Sequence, residues 1–382
     1  MLDALQLENF KAFKAQEIQL RPLTLLTGLN GMGKSSVLQA LLLLRQSYQG
    51  QLLGQTARPA LMLNGEYVQL GTGRDLLFDN AETNEIAISL NFDGAKRISW
   101  HFAYDRQTDI LSHGKQIKGS DGAHIYNTSL FMPTFHYLQA ERIGPRTSFA
   151  MADTMVRQQH QMGKQGEYAA HFLDVYQGQS VERRLHYPGT LPEKVTAQDT
   201  LLNQVMAWLS NVSPGTVIQV ESYATMDLVR LAFGFERPDT VGNTRYYRST
   251  NVGFGITYTL PVLLALLSSS PGALILLENP EAHLHPRGQS QIGNLLARAA
   301  SIGIQIIVET HSDHILNGIR LAAREGIVNP KDVAIHFFQR PQNDSELLGV
   351  EIVTPQLDAD GRIDYWPENF FDEYRKNLRS LL

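Results

Sequence analysis

Gly28-Leu29-Asn30-Gly31-Met32-Gly33-Lys34-Ser35 follows the spacing Gly, four residues, Gly-Lys and Ser, and each residue type in that pattern has a task at a polyphosphate. Glycine at 28, 31 and 33 lets the backbone aim successive N–H groups inward, where a Cβ would obstruct phosphate oxygens. Lys34 carries an ammonium to the β/γ-phosphates, and the Ser35 hydroxyl is the oxygen ligand that Mg²⁺ accepts beside its retained waters. Asn30, Gly31, Gly33, Lys34, Ser35 and Ser36 are therefore the candidate nucleotide-binding residues of a P-loop. The flanks agree with this reading. Leu23 to Thr27 is a short apolar run suited to a buried strand, and Ser36 to Leu44 is a strong helix former. The loop thus precedes a helix N-terminus, whose dipole and N–H groups favour an anion.

Composition bounds the rest. A chain of 382 residues exceeds the usual size of one core, so two or three domains, or one domain with insertions, are expected. The net charge of -5 supplies no global positive field for nucleic acid. The chain has no cysteine, which excludes disulfides, zinc-thiolate sites and cysteine nucleophiles and agrees with a reducing cytoplasm. No leader pattern opens the sequence and no apolar run approaches about 18 residues, so a soluble protein without a membrane span is expected.

Residues 4 to 20 read as two strands around a turn. Lys11 and Lys14 in that turn either touch phosphate or are solvated, and Phe10 and Phe13 beside them read as core. Between Leu61 and Tyr104 the pattern alternates with period two, predicting strands at Tyr67 to Leu70, Glu85 to Phe92 and Arg97 to Phe102, with a hairpin turn at Asp93-Gly94. Residues 107 to 129 read as loops or edge strands. Phe135 to Leu138 reads as a buried strand whose exit, Gln139 to Arg146, places a glutamine and two arginines to face a nucleotide. Helices are predicted near Tyr168 to Gln177 and Thr200 to Leu209, and strands at Val217 to Val220 and Leu228 to Phe235. Arg157, Lys164, Arg183, Arg184 and Lys194 are too scattered for a nucleic-acid patch. A glycine-rich turn at 251 to 256, Asn-Val-Gly-Phe-Gly-Ile, leads into a helix over Tyr258 to Leu267. Ala273 to Leu277 is a strand entering Glu278-Asn279-Pro280-Glu281-Ala282-His283-Leu284-His285-Pro286. A helix over Gln291 to Ala300, a strand over Gln305 to Val308, and Glu309-Thr310-His311-Ser312 complete the series, with Ser312 an N-cap. Strand and helix alternation around a P-loop predicts an α/β fold with a mostly parallel core sheet, an antiparallel β subdomain and a helical insertion, its ligand at the carboxyl ends of the strands.

P-loop, strand-exit glutamine, glycine-rich helix start, acidic strand and exit histidine stand in the order of an ABC-type ATPase head. The run Leu274 to Pro286, ending Pro-Glu-Ala-His-Leu-His-Pro, resembles the OLD-like, RecF/SMC-related branch of AAA ATPases. Asp360 to Phe371 is similar to a small C-terminal domain of unknown function found in a bacterial subgroup associated with phage defence. The resemblance implies a P-loop lobe over 1–60, an antiparallel β subdomain over 61–134, a glutamine loop with insertion over 135–250, the signature, Walker B and switch part over 251–340, and the small domain over 341–382.

It further implies ATP and Mg²⁺ as cofactors, with Ser35, Gln139 and Glu278 toward the metal and Gly253, Phe254 and Gly255 as the signature. Glu278, Asn279, Glu281 and His311 are the catalytic candidates. Such heads dimerise head to tail through ATP, so a homodimer or higher homo-oligomer is expected. One position departs from the pattern. Where the second acid usually orients and deprotonates water, the chain has Asn279, which hydrogen-bonds water but takes no proton, leaving Glu281 as the nearest alternative base. Hydrolysis is expected to be slow or partner-stimulated. The expected function is an ATP-driven switch for a separately encoded effector, with a nuclease as one candidate, in phage defence or a DNA-related process. A non-hydrolysing ATP sensor and membership of an OLD-like nuclease system are the alternatives. Asp358, Asp360 and Asp364 read as a turn before a helix, not as a nuclease centre, and His283 with His285 as a subunit-contact loop rather than a metal site.

Overall fold

A computed structural model describes residues 1–54, 56, 59–94, 96–114, 124–189, 199–235, 244–341, 349–371, 377–378 and 380–381. Lys194 lies outside them. The chain divides into two compact units, one of Met1–Phe135, Lys331–Leu357 and Ile363–Leu382, the other of His136–Pro330 and Asp358–Arg362.

The first unit starts with the hairpin β1 (Leu2–Phe10) and β2 (Phe13–Gln19). β3 (Leu23–Gly28) is fully buried until Gly28 and feeds the loop before α1 (Lys34–Gln49), whose leucine run is buried. β4 (Ala60–Met62), β5 (Glu85–Phe92), β6 (Lys96–Ala103) and β7 (Ile110–Ser112) follow. β5 and β6 form the expected hairpin, with Asp93 at φ 49° and Gly94 at φ 80°, the two left-handed residues that match strand twist in a tight turn. The pair is not a free-standing sheet. β5 hydrogen-bonds to β1, giving the antiparallel order β2-β1-β5-β6. The strand expected at Tyr67 to Leu70 does not form, because the Val68 N–H donates to Gln46 Oε1 at 3.1 Å and only a single bridge joins Asn64 and Gln69. β7 supplies the expected edge strand, paired with β4.

In the second unit come β8 (Phe135–Leu138), whose first residue belongs to unit one, β9 (Phe149–Ala150), α2 (Ala169–Tyr176), α3 (Leu201–Leu209), β10 (Thr216–Tyr223), β11 (Leu228–Phe235) and β12 (Tyr246–Arg248). α4 (Phe254–Ser268), β13 (Leu274–Glu278), α5 (Pro286–Ser301), β14 (Gln305–Glu309) and α6 (Asp313–Arg324) complete it. β10, β11, β12 and β9 make an antiparallel sheet. β13 and β14 pair in parallel, in register from Leu274 on Gln305 to Glu278 on Glu309, and β8 lies on the other side of β13. α4 begins four residues before the sequence pattern predicted, so Phe254 and Gly255 fall in its first turn.

The chain then returns to unit one with β15 (Val333–Gln339), parallel to β3, and β16 (Glu351–Val353), antiparallel to β15. Beyond it Phe370 is fully buried, its ring 5.2 Å from that of Phe337. Asp358 Oδ1 accepts the N–H groups of Asp360 at 2.9 Å and Arg362 at 2.7 Å, so that carboxylate closes the expected turn. No helix follows over residues 365–371, where the backbone keeps turning through Asn369 and Phe371 at positive φ.

Candidate functional site

In unit one the loop 28–35 has the curled backbone that its glycines predict. Gly28, Gly31 and Gly33 lie at φ 128°, 77° and 85°. At Gly28 a Cβ would stand 2.1 Å from the Phe338 carbonyl oxygen, which also accepts the Leu29 N–H at 3.0 Å, so β15 braces the start of the loop. Phe13 braces its end, since a Cβ on Gly33 would lie 2.8 Å from that ring. Gly33 offers no side-chain cap to α1, and no acidic residue occupies the helix's first turn. Lys34 is buried, and its Nζ donates to the carbonyls of Leu29 at 2.8 Å and Gly28 at 3.1 Å. Asn30 and Gly31 are exposed at the loop crest, while Ser35 is half-buried and Ser36 buried. The turn lysines divide otherwise. Lys11 Nζ donates to Gln39 Oε1 at 2.6 Å, and Lys14 pairs in solvent with Glu82 at 2.7 Å.

In unit two the acidic strand exit is held from several directions. Glu278 Oε1 accepts from the Tyr137 hydroxyl at 2.9 Å and Oε2 from the Ala140 N–H at 3.1 Å. Burial, and then the Glu278 charge, push the Tyr137 hydroxyl far above its ordinary value, so it stays protonated and donating. Each carboxylate oxygen retains lone-pair capacity for a metal-bound water. Asn279 adopts φ 44°, a left-handed conformation that asparagine tolerates better than glutamate, and its N–H donates to the Glu309 carbonyl at 2.8 Å. Its Oδ1 is buried without a hydrogen-bond partner among the described residues. Glu281 Oε1 accepts the His311 N–H at 2.7 Å, whereas Oε2 is buried and has no partner among the described residues. That contact ties the carboxylate to the loop after β14. The His311 residue is exposed, and Ser312 caps α6, accepting from the N–H groups of His314 and Ile315 at 3.1 Å.

Gln139 stands at the end of β8 as expected, its Nε2 donating to the Glu141 carbonyl at 3.0 Å. Arg142, read from the sequence as facing a nucleotide, is turned instead onto the main chain of its own unit. It is 2% exposed, its Nη1 and Nη2 donate to main-chain carbonyls, and its Nε is buried without a partner among the described residues. Tyr137, Arg142 and Glu309 thus join the site without having been singled out for these roles. Their signal was positional only, at strand ends beside the quoted motifs. Gly253, exposed with open space about it, is the N-cap of α4, Phe254 is 54% exposed, and Gly255 abuts the His283 carbonyl, 2.8 Å from where its Cβ would lie. His283 and His285 diverge. The first joins an aromatic cluster with Tyr258 and Phe254, and the second caps α5 through Nδ1. Among the described residues no group of three or more His, Asp or Glu could hold a metal, and no helix is long and apolar enough to cross a membrane.

Comparison with known proteins gives three family matches. Residues 1–161 match the AAA ATPase domain, residues 225–317 match an AAA domain described as putative AbiEii toxin, Type IV TA system, and residues 328–381 match a protein family of unknown function, DUF3696. No curated protein matches the chain. Among solved structures it is similar to an SMC head bound to the C-terminal winged-helix domain of ScpA, with TM-score 0.53 and 14% identity over 93% of this chain and 98% of that one. An SMC head domain from Thermotoga maritima aligns with TM-score 0.48 and 13% identity, over 94% and 99% of the two chains. A Pyrococcus furiosus SMC head with an extended coiled coil, bound to a ScpA domain, gives 0.48 and 12%, over 100% and 99%.

Proposed function

From a chain that carries AAA ATPase domains over residues 1–161 and 225–317 on the α/β fold of an SMC head, with a DUF3696 segment behind them, we propose an ATP-driven switch. In this reading the chain binds MgATP, pairs with a second copy through it, and signals to a separately encoded effector. The observation that carries it is the loop 28–35. Its left-handed glycines form a cradle, and Lys34 already points its ammonium at loop carbonyls, neutral acceptors that a polyphosphate would replace with charged ones.

Ser35 in unit one and, separately, Gln139 and Glu278 in unit two are the residues we assign to Mg²⁺; the oxygen donors of each suit that ion, which would neutralise phosphate charge when bound. Glu278, oriented by Tyr137 and Ala140, is preset to accept from metal-bound water. Asn279 Oδ1 and Glu281 Oε2 are two buried acceptors on one turn, each lacking a donor among the described residues. A water between them would be positioned by the amide and would pass its proton to the carboxylate. Turnover is then slow, because the base stands two residues beyond its usual place and its other oxygen is committed to His311. The exposed start of α4, with Gly253, Phe254 and Gly255, is the surface offered to the second copy's ATP.

The toxin-antitoxin wording of one family match favours a role in defence, with a nuclease as the candidate effector, and the solved SMC head held by a ScpA domain is an example of this fold meeting a partner. A non-hydrolysing sensor is the second reading, favoured by Asn279. Nucleic-acid contact remains a secondary expectation. The direct test is titration of MgATP against wild type and Lys34→Ala. We expect a loss of affinity of at least about tenfold, since the loop loses its point charge. Equal affinities would remove the P-loop assignment.

A further inference from the structure

Arg142 is a buried guanidinium with no carboxylate within ion-pair distance among the described residues. Its Nη1 donates to the Glu278 carbonyl at 2.8 Å and the Gln139 carbonyl at 3.1 Å, and its Nη2 to the Asn279 carbonyl at 2.7 Å. The guanidinium carbon stands 5.5 Å from the centre of the Tyr258 ring, on α4. Tyr258 meets the His283 ring edge-on at 4.6 Å, and His283 meets Phe254 at 5.6 Å. Phe254 returns to the segment that holds Arg142, because a Cβ on Gly144 would lie 3.0 Å from its Cε1. The contacts therefore close a ring through residues 139–144, the turn after β13 and the first turns of α4.

We propose that Arg142 is a positioning residue that fastens the Glu278-Asn279 backbone to the start of α4, so that chemistry at the acidic strand exit and contact with a second copy both depend on a side chain outside the reaction. The inference rests on the ATPase reading above. Arginine suits the place because its rigid fork reaches two successive carbonyls from separate nitrogens while its delocalised charge stands near an aromatic ring, a geometry that the single nitrogen of an ammonium reproduces only in part. The turn needs such a clamp, since Asn279 holds a left-handed conformation that a free loop would leave. Burial lowers the guanidinium pKa to about 10, opposed by Glu281, Tyr258 and Glu278, and at neutral pH it remains charged.

The test compares wild type with Arg142→Ala, Arg142→Lys and Tyr258→Leu. For each, MgATP affinity, kcat, KM and the MgATP-dependent mass are measured. For Arg142→Ala we expect affinity within about threefold of wild type, with kcat and dimerisation lowered about a hundredfold, the scale of a small misplacement of reacting groups. Arg142→Lys should recover part of the loss, and guanidinium ion at non-denaturing concentration should restore turnover to Arg142→Ala. Tyr258→Leu keeps the guanidinium and its three carbonyls, and severs only the link to α4. It should lower dimerisation about tenfold, and with Arg142→Lys it carries the test if the alanine variant misfolds. Wild-type kcat and dimerisation in folded Arg142→Ala or Tyr258→Leu would overturn the inference. So would an affinity loss that matches the kcat loss, which would make Arg142 a nucleotide ligand. Failure of the underlying reading shows separately, as MgATP affinity indifferent to Lys34→Ala.

Discussion

Asn279 shows how one residue's backbone constrains its chemistry. A glutamate there would restore the usual base, yet the left-handed conformation would cost the larger side chain roughly 1 kcal/mol. Asparagine fits the turn, leaving Glu281 to take the proton. Loss of a positioned base typically costs about 10² to 10⁴ in rate, so Glu281→Gln should lower basal ATP turnover within that range. Asn279→Glu should then change it little and lower the melting temperature. If instead Asn279→Glu raises turnover strongly and Glu281→Gln does not lower it, Asn279 is the position that limits hydrolysis and the assignment of Glu281 as base is wrong. Phosphate release from the purified variants decides between these. At this scale the spacing of the motifs singled out Lys34, Glu278, Asn279 and Glu281 as candidates, and the Ser312 cap stands where the sequence put it. The sequence did not identify Tyr137 or the buried state of Arg142, because neither has a spacing rule; each is set by what folds against it.

At the scale of elements, local pattern predicted what local forces decide. The strand over Glu85 to Phe92 stands where alternation put it, the Asp93-Gly94 turn where its dipeptide put it, and the strand over Phe135 to Leu138 where a continuous apolar run put it. Long-range pairing was not legible. Nothing in β5 or β15 announces that they hydrogen-bond to β1 and β3, and Tyr67 to Leu70 lost its strand to one glutamine side chain. The β15 pairing has a consequence for stability. His336, on β15 and 2% exposed, has Nε2 2.7 Å from the Gln19 carbonyl and Nδ1 3.0 Å from the Thr354 hydroxyl, so the neutral ring donates once and accepts once. Burial lowers its pKa below the ordinary 6.5. The unfolded chain therefore binds the proton more tightly, and stability present above about pH 6.5 falls as pH drops toward the lowered value. Urea melts between about pH 7.5 and 5.5 should show this loss, and His336→Gln should shrink it. An undiminished pH dependence in the variant would assign the effect to His113, His160 and His171, whose pKa values burial also lowers.

For the whole molecule, the expectation of an ATPase head came from the order of its motifs, and the AAA domain matches and SMC-head fold agree with it. The central claim concerns what ATP does to the chain, namely that it joins two copies through the start of α4. Gly255 is a poor probe of that claim, because any Cβ there meets the chain's own His283 carbonyl at 2.8 Å. Gly253 is a good one. It is exposed, its φ of -62° suits any residue, and no atom lies within 4 Å of an added Cβ. The deciding measurement is the mass of the purified protein by light scattering, with and without ATP and Mg²⁺, for wild type and Gly253→Trp. Wild type should double in mass only with MgATP, while Gly253→Trp binds MgATP as tightly and stays at its nucleotide-free mass. A wild type whose mass ignores MgATP, or a Gly253→Trp variant that doubles as wild type does, would contradict the account.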